Sequence, residues 1–205
     1  MAVREVAYNE VFDAQKHFRS LLDTIARPGT IRAFDPVTLN PPPGLNVASA
    51  MVAFALLDAS TTFEVVHLEQ GEGAYLSANT GAARTGLDSA NFIFANGTEA
   101  PDFLESVDCG TLLYPDTGAT IVLQVSGASN EALTGGWKLT LVGPGIQDKA
   151  TLFVTGVNPD LLLALQARNA EFPLGLDTIL TFADPSGKPS VAALPRTTKV
   201  QWEQC

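Results

Sequence analysis

Phe172-Pro173-Leu174-Gly175-Leu176-Asp177-Thr178-Ile179-Leu180-Thr181-Phe182, followed after a short gap by Ser190-Val191-Ala192-Ala193-Leu194-Pro195-Arg196-Thr197-Thr198-Lys199-Val200, is the stretch that decides the fold. Residues 178–182 and 190–194 are rich in β-branched and apolar types, which predicts two strands. Asp184-Pro185-Ser186-Gly187-Lys188-Pro189 between them is a crowd of turn formers and joins them as a hairpin. Pro173 ends whatever helix precedes it, and Gly175 permits a backbone conformation that a Cβ would forbid. Asp177 and Arg196 flank the two ends of this hairpin. A turn centred near Gly187 sets Asp177 opposite Arg196 or Thr197, and register decides which face each side chain takes. Pro195 cannot donate to a ladder, so it ends the regular pairing and frees Arg196 to swing toward Asp177.

Outward from the hairpin, the chain alternates helices and strands early and favours hairpins late. Val11, Ala14, Phe18, Leu21, Leu22 and Ile25 recur at three- and four-residue steps, the pattern of an amphipathic helix with this stripe toward the core. Asn9 caps its start, Asp13 suits its first turn, and Arg27-Pro28-Gly29 ends it. A short strand at 30–34 and an extended crossing through Asn40-Pro41-Pro42-Pro43-Gly44 follow. Asn46 caps a helix over 47–57, apolar on nearly every side and therefore buried between layers. Strands are expected at 63–68 and 91–95, and a short helix at 101–107. The strongest strands are 119–125 and 137–142, joined by a loop ending Gly135-Gly136. A helix over 159–168 has Asn158 as its cap and Pro159 at its first position. The expected fold is α/β: a single domain built on a mixed sheet with helices on its faces.

The candidate site residues lie at both ends of the chain. Asp177 can hold the Arg196 guanidinium for an anionic ligand or a partner's acid; alternatively the two form a structural ion pair pinning the hairpin. Thr197 and Thr198 add hydroxyl donors beside Arg196, a set that suits a phosphoryl oxygen, although threonine is also an ordinary strand residue. On the first helix, Asp13, Gln15 and Arg19 either project toward a shared cleft or form a solvated face. Gly143-Pro144-Gly145 and Gly187-Lys188 are turns, since Pro144 lacks an amide donor and the glycine and hydroxyl positions of a nucleotide loop are missing. His17 and His67 stand in no hydrolytic or metal-binding motif, so they are packing or surface residues; no catalytic residue, metal site or cofactor is assigned.

Three segments carry a resemblance. They are the F-P-L-G-L-D … L-P-R-T-T pattern of 172–198, Asp13-Ala14-Gln15-Lys16-His17-Phe18-Arg19-Ser20-Leu21-Leu22 closing with Arg27-Pro28-Gly29, and the softer Thr117–Val125 and Leu139–Ile146 stretches (117–125, 139–146). Together they resemble the H subunits of the bacterial carbon–phosphorus lyase core complex. The resemblance implies a fold similar to the large domain of pyridoxal-phosphate-dependent transferases, but without pyridoxal phosphate. It implies a subunit role in organic phosphonate catabolism, in forming ribose 1-phosphonate 5-triphosphate from ATP and an alkylphosphonate with release of adenine. The chain would act there without a complete catalytic site of its own, alongside the other core subunits. A phosphonate or a nucleotide is the candidate ligand. Competing readings are a small-molecule-binding or regulatory module and an autonomous pyridoxal-phosphate transferase. The latter needs a Schiff-base lysine with suitable company, and the chain has five lysines: Lys16, Lys138, Lys149, Lys188 and Lys199.

Composition narrows the classes further. With 205 residues, 46% of them hydrophobic, the chain can bury the core of one domain, taken as 1–205. A formal charge of −10 opposes nucleic-acid binding, and any anion site must be a local cluster or come from another subunit. Only 17% of residues are charged, which suits a surface partly covered by partners and a homodimer when the chain is isolated. Cys109 and Cys205 make no disulfide framework, and a reduced compartment fits them. The N-terminus has no apolar signal core and the longest apolar run, 47–57, is too short to span a bilayer, so a cytoplasmic protein with no membrane association is expected.

Overall fold

The computed structural model describes residues 4–68 and 71–205. In chain order its elements are α1 (Phe12–Ala26), β1 (Arg32–Ala33), α2 (Val47–Leu56), β2 (Thr62–Val66), α3 (Glu72–Thr80), β3 (Ala83–Arg84), β4 (Phe92–Asn96), β5 (Thr120–Gln124), β6 (Gly127–Ser129), β7 (Trp137–Val142), β8 (Ala150–Thr155), α4 (Pro159–Arg168), β9 (Asp177–Ala183), β10 (Pro189–Leu194) and β11 (Lys199–Gln204). Short 3-10 turns occupy Pro101–Ser106 and Pro115–Thr117.

The main sheet is mixed and seven-stranded, in the order β1-β10-β9-β5-β4-β2-β3. Its strands from β9 across to β3 run parallel, and β10 and β1 complete it antiparallel. Alternation along these strands divides the core in two. Phe63, Val65, Phe94, Val122, Ile179 and Val191 face one layer, packed with α1, α2 and α3 residues. Ile93, Ile121, Leu123, Leu180, Phe182 and Ala192 face the other. That second face meets α4, the Pro101–Ser106 turn and a separate antiparallel sheet ordered β11-β7-β8-β6. The protein is therefore α/β with a mixed sheet and helices, as expected. The second sheet was not foreseen, and neither were α3 and β8. The loop expected between 119–125 and 137–142 in fact carries the chain out of one sheet and, through β6, into the other.

Local chemistry explains most boundaries. The Asn46 side chain accepts from the Ser49 amide at 2.7 Å, starting an apolar α2 that is buried from Ala48 to Ala53. Asn158 caps α4 in the same way through the Asp160 amide at 3.0 Å. Asn9 Oδ1 accepts from the amides of Val11 and Phe12, so the first turn of α1 is capped from slightly further upstream than its first helical residue suggests.

Helix α1 corrects one expectation. Its buried residues are His17, Leu21 and Thr24, while Val11, Phe18, Leu22 and Ile25 of the apolar stripe are exposed, Leu22 by 54%. The helix has turned its polar-looking face inward because that face is satisfied there. His17 Nε2 donates to the Asp35 carbonyl at 3.0 Å, its Nδ1 accepts from the Tyr8 hydroxyl at 3.1 Å, and Thr24 Oγ1 donates to the Leu21 carbonyl at 2.8 Å. Periodicity alone does not reveal a buried polar face whose partners lie elsewhere in the chain.

Candidate functional site

The hairpin of β9 and β10 has the register Leu194↔Thr178, which sets Asp177 across from Pro195, one step short of the nearer of the two positions expected. Contact forms all the same, because β10 stops at Leu194 and the chain turns. Asp177 Oδ1 accepts from the Arg196 amide at 2.8 Å. Its Oδ2 accepts from Arg196 Nε at 3.1 Å and Nη2 at 2.7 Å. Arg196 Nη1 also donates to the Pro115 carbonyl at 2.6 Å, and Nη2 reaches the Gly118 carbonyl at 3.5 Å. The guanidinium is thus committed to a carboxylate and two backbone carbonyls, with a side chain only 14% exposed. A Cβ at Gly118 would stand 2.9 Å from Arg196 Nη1, so glycine is what lets that loop approach.

Neighbouring contacts fix the same corner. The Gly175 amide donates to the Cys109 carbonyl at 3.0 Å. The Asn169 side chain both accepts from the Leu176 amide at 2.7 Å and donates to the Leu176 carbonyl at 3.1 Å. Gly175 has φ of 141°, where a side chain would be strained. Burial pushes the Cys109 thiol up from its ordinary range, against the pull of the Arg168 charge.

Beside this corner lies a cleft of about 680 Å³, between α4 and the segment that runs from the end of β10 into β11. Leu162, Leu165 and Leu194 give it apolar walls, and Arg196, Thr197, Thr198 and Lys199 form its polar side. Thr198 is buried, with no hydrogen-bond partner for its hydroxyl among the described residues. Its amide donates to the Pro195 carbonyl at 2.8 Å, closing the turn between β10 and β11. Phe172, 71% exposed, stands at the rim.

The residues singled out in the sequence are only partly brought together. Asp177 touches Arg196, and Arg196, Thr197 and Thr198 line the cleft. Asp13, Gln15 and Arg19 do not line it: Asp13 accepts from the Asn9 amide at 2.9 Å, and Gln15 and Arg19 are exposed on α1. What the sequence reading missed is the α4 wall, although Leu162, Leu165 and Gln166 follow a helical step that marks one face. His17 is a core residue and His67 an exposed one whose Nδ1 lies 2.9 Å from Glu99. Among the described residues no group of three or more His, Cys, Asp or Glu side chains is placed to hold a metal ion. No helix among them is long and apolar enough to cross a membrane.

Residues 7–201 match the family described as bacterial phosphonate metabolism protein (PhnH). The chain belongs to this family. It is 38% identical over 198 residues to the alpha-D-ribose 1-methylphosphonate 5-triphosphate synthase subunit PhnH of Rhizobium meliloti (strain 1021), covering 94% of this chain and 92% of that protein. It is also 32% identical over 188 residues to HtxG of Stutzerimonas stutzeri, described as a C-P lyase subunit, covering 91% of this chain and 85% of that one. The family match takes in the Asp177–Arg196 corner and the cleft, and it ends at Gln201, inside β11.

Proposed function

We propose that this chain is a subunit of a carbon–phosphorus lyase assembly in organic phosphonate catabolism. In that role it takes part in forming ribose 1-phosphonate 5-triphosphate from ATP and an alkylphosphonate, with release of adenine, and it works beside other core subunits in the cytoplasm. The observation that carries this reading is the family match along 7–201, together with relatives named as subunits of such enzymes. The geometry supports a contributing rather than a self-sufficient role. Arg196, the best anion-binding candidate, is already bound to Asp177 and two carbonyls. A net charge of −10 draws no phosphonate or nucleotide by itself. If either ligand meets this chain, the cleft with Thr197, Thr198 and Lys199 is the place for it.

Two finer readings go with it. The isolated chain forms a homodimer, supported by the exposed Phe18, Leu22 and Ile25 on α1. The single domain, 1–205, is similar to the large domain of pyridoxal-phosphate transferases without the cofactor, supported by the run of parallel strands flanked by helices.

Reconstitution tests the function. The other core subunits, supplied with ATP and methylphosphonate, should release adenine only when this chain is added. Equal release without it, or release by this chain alone, overturns the proposal.

A further inference from the structure

Three threonines line the α4 cleft: Thr178 on β9, directly across from Leu194 on β10, and Thr197 and Thr198 in the turn between β10 and β11. Thr178 is 3% exposed and Thr198 is 6% exposed. None of the three hydroxyls makes a hydrogen bond to a described residue. Buried hydroxyls are normally paired, often with a backbone carbonyl of their own segment, and one left alone carries an uncompensated desolvation cost. Three such groups around one cavity leave it with donors that no protein acceptor takes up.

The charge around the cavity has one sign. No Asp or Glu among the described residues lines it, whereas Arg196 and Lys199 do. Asp177 neutralises Arg196 at 2.7 Å, and Lys199 is exposed and in no ion pair among the described residues, so it is the single uncompensated charge. One positive charge suits one negative head. A nucleoside triphosphate would bring several charges against the field of a chain that carries −10. Gln166 and Asn169 also line the cleft, but their amide groups are bonded to the Val200 and Leu176 backbones. Most of the remaining wall is apolar, from Leu162, Leu165 and Leu194, with Phe172 at the rim. The volume of about 680 Å³ falls in the range of small-molecule sites, roughly 300–1,000 Å³. Methylphosphonate, with one carbon, would leave those walls bare. An aromatic ring covers them with few rotatable bonds to freeze.

We infer that the α4 cleft is a binding site for a small organic anion, one oxyanion head on an aromatic body. The head accepts hydrogen bonds from the threonine hydroxyls and faces Lys199, while the ring lies on Leu162, Leu165 and Leu194 beside Phe172. This rests on the proposed function only in taking the cleft as the ligand site of the chain. It narrows that reading, since the cleft then holds neither the triphosphate nor the smallest phosphonate.

Titration calorimetry on the full chain with phenylphosphonate, methylphosphonate, ATP and benzylamine reads the site. Phenylphosphonate should bind about tenfold tighter than methylphosphonate or ATP, and benzylamine, with the opposite charge, should not bind. Lys199→Gln should weaken phenylphosphonate about threefold and remove most of its salt dependence. Thr198→Val should weaken it about fivefold. Lys199 is exposed, so its variant carries the test even if the other fails to fold. Benzoate and benzenesulfonate tell the heads apart: equal binding assigns the site to any oxyanion and weaker binding assigns it to a phosphonate, and both outcomes support it. Equal affinity for methylphosphonate, tighter binding of ATP, affinities unchanged in both variants, or no saturable binding would each overturn the inference. Failed binding beside adenine release that requires this chain overturns the inference alone. Binding by a chain that reconstitution does not require overturns the proposed function alone.

Discussion

The seven-stranded sheet stops on both sides at two-residue strands, β1 and β3, whereas the four-stranded sheet stops at a six-residue strand, β11. Short edges offer too few free backbone groups to recruit another strand, so the larger sheet is closed to addition. The smaller sheet ends on the longer β11, whose outward backbone groups at Trp202 and Gln204 have no partner among the described residues, and the apolar cleft lies next to the start of that strand. The larger sheet also has both faces packed, with α1, α2 and α3 on one side and the smaller sheet and α4 on the other. One sheet is therefore scaffold. The other is scaffold on its inner face and open for contact at its rim.

The largest effects should separate the two. Leu123 is fully buried in β5 at the centre of the larger sheet, so Leu123→Ala removes packing on all sides and should cost about 4 kcal/mol. Trp202 in β11 is only half-buried, and Trp202→Ala should cost about 2 kcal/mol despite the greater volume lost. Urea unfolding measures both; equal losses would make β11 as central to the fold as β5 and break the contrast.

Next comes the corner where the larger sheet meets the cleft. Arg196→Gln strands the Asp177 carboxylate and two carbonyls, and should cost about 3 kcal/mol, near the low end for a buried pair because Asp177 is a third exposed. Asp177→Asn should cost less, and the double variant should lose less than the sum of the two. Strictly additive losses would show that each residue acts alone. Full stability with failed assembly would move Arg196 from the fold to an interface.

How legible these parts were in the sequence follows from how local their determinants are. The longer parallel strands announce themselves as apolar runs, and the caps Asn46 and Asn158 sit one step before their helices, so β2, β4, β5, α2 and α4 were readable to within a residue or two, whereas the two-residue β3 was not seen. The ion pair was readable because Pro195 marks where the ladder ends, although the register was missed by one position: a turn residue more or less is invisible in composition. The smaller sheet was missed because Ala150–Thr155 follows a polar turn, and nothing local says that β7 pairs forward to β8 and also with β11, some sixty residues on. The orientation of α1 was missed for the same reason, since Tyr8 and Asp35 decide which face of that helix is buried. Of the candidate site, the polar half at 196–198 was legible, and the α4 wall required the third dimension.

A smaller, pH-dependent effect belongs to the helical layer of the larger sheet. Burial pushes the His17 pKa below its ordinary value of 6.5, outweighing the Asp35 carbonyl and the nearby carboxylates that raise it. Below 6.5 the unfolded chain takes up a proton that folded His17 resists, so this contribution is complete above 6.5 and is lost as the pH falls toward the folded value. Unfolding free energy should therefore drop between about pH 7 and about pH 5, and His17→Gln should flatten that part of the slope. An unchanged slope in the variant would place the acid sensitivity elsewhere, outside the α1 layer.

The smallest expected change is the most informative about the cleft. Thr198 Oγ1 is buried without a partner among the described residues, at the point where the chain passes from the larger sheet into the smaller. An unsatisfied hydroxyl contributes nothing to stability and carries its desolvation cost, so replacing it with a methyl group of similar shape should be neutral or stabilising by under about 1 kcal/mol. Valine keeps the β-branch and the amide that donates to Pro195, so the turn should survive. Thr198→Val therefore leaves the fold intact and removes one donor from the cleft wall. If the cleft serves the function, reconstituted adenine release or capture of the partner subunits should weaken while the unfolding curve stays in place or shifts to higher urea. A clear loss of stability would mean that the hydroxyl is satisfied in solution and belongs to the fold. Unchanged stability together with unchanged activity and assembly would leave Thr198 out of the site and put the working part of this surface further along β11, at the open edge.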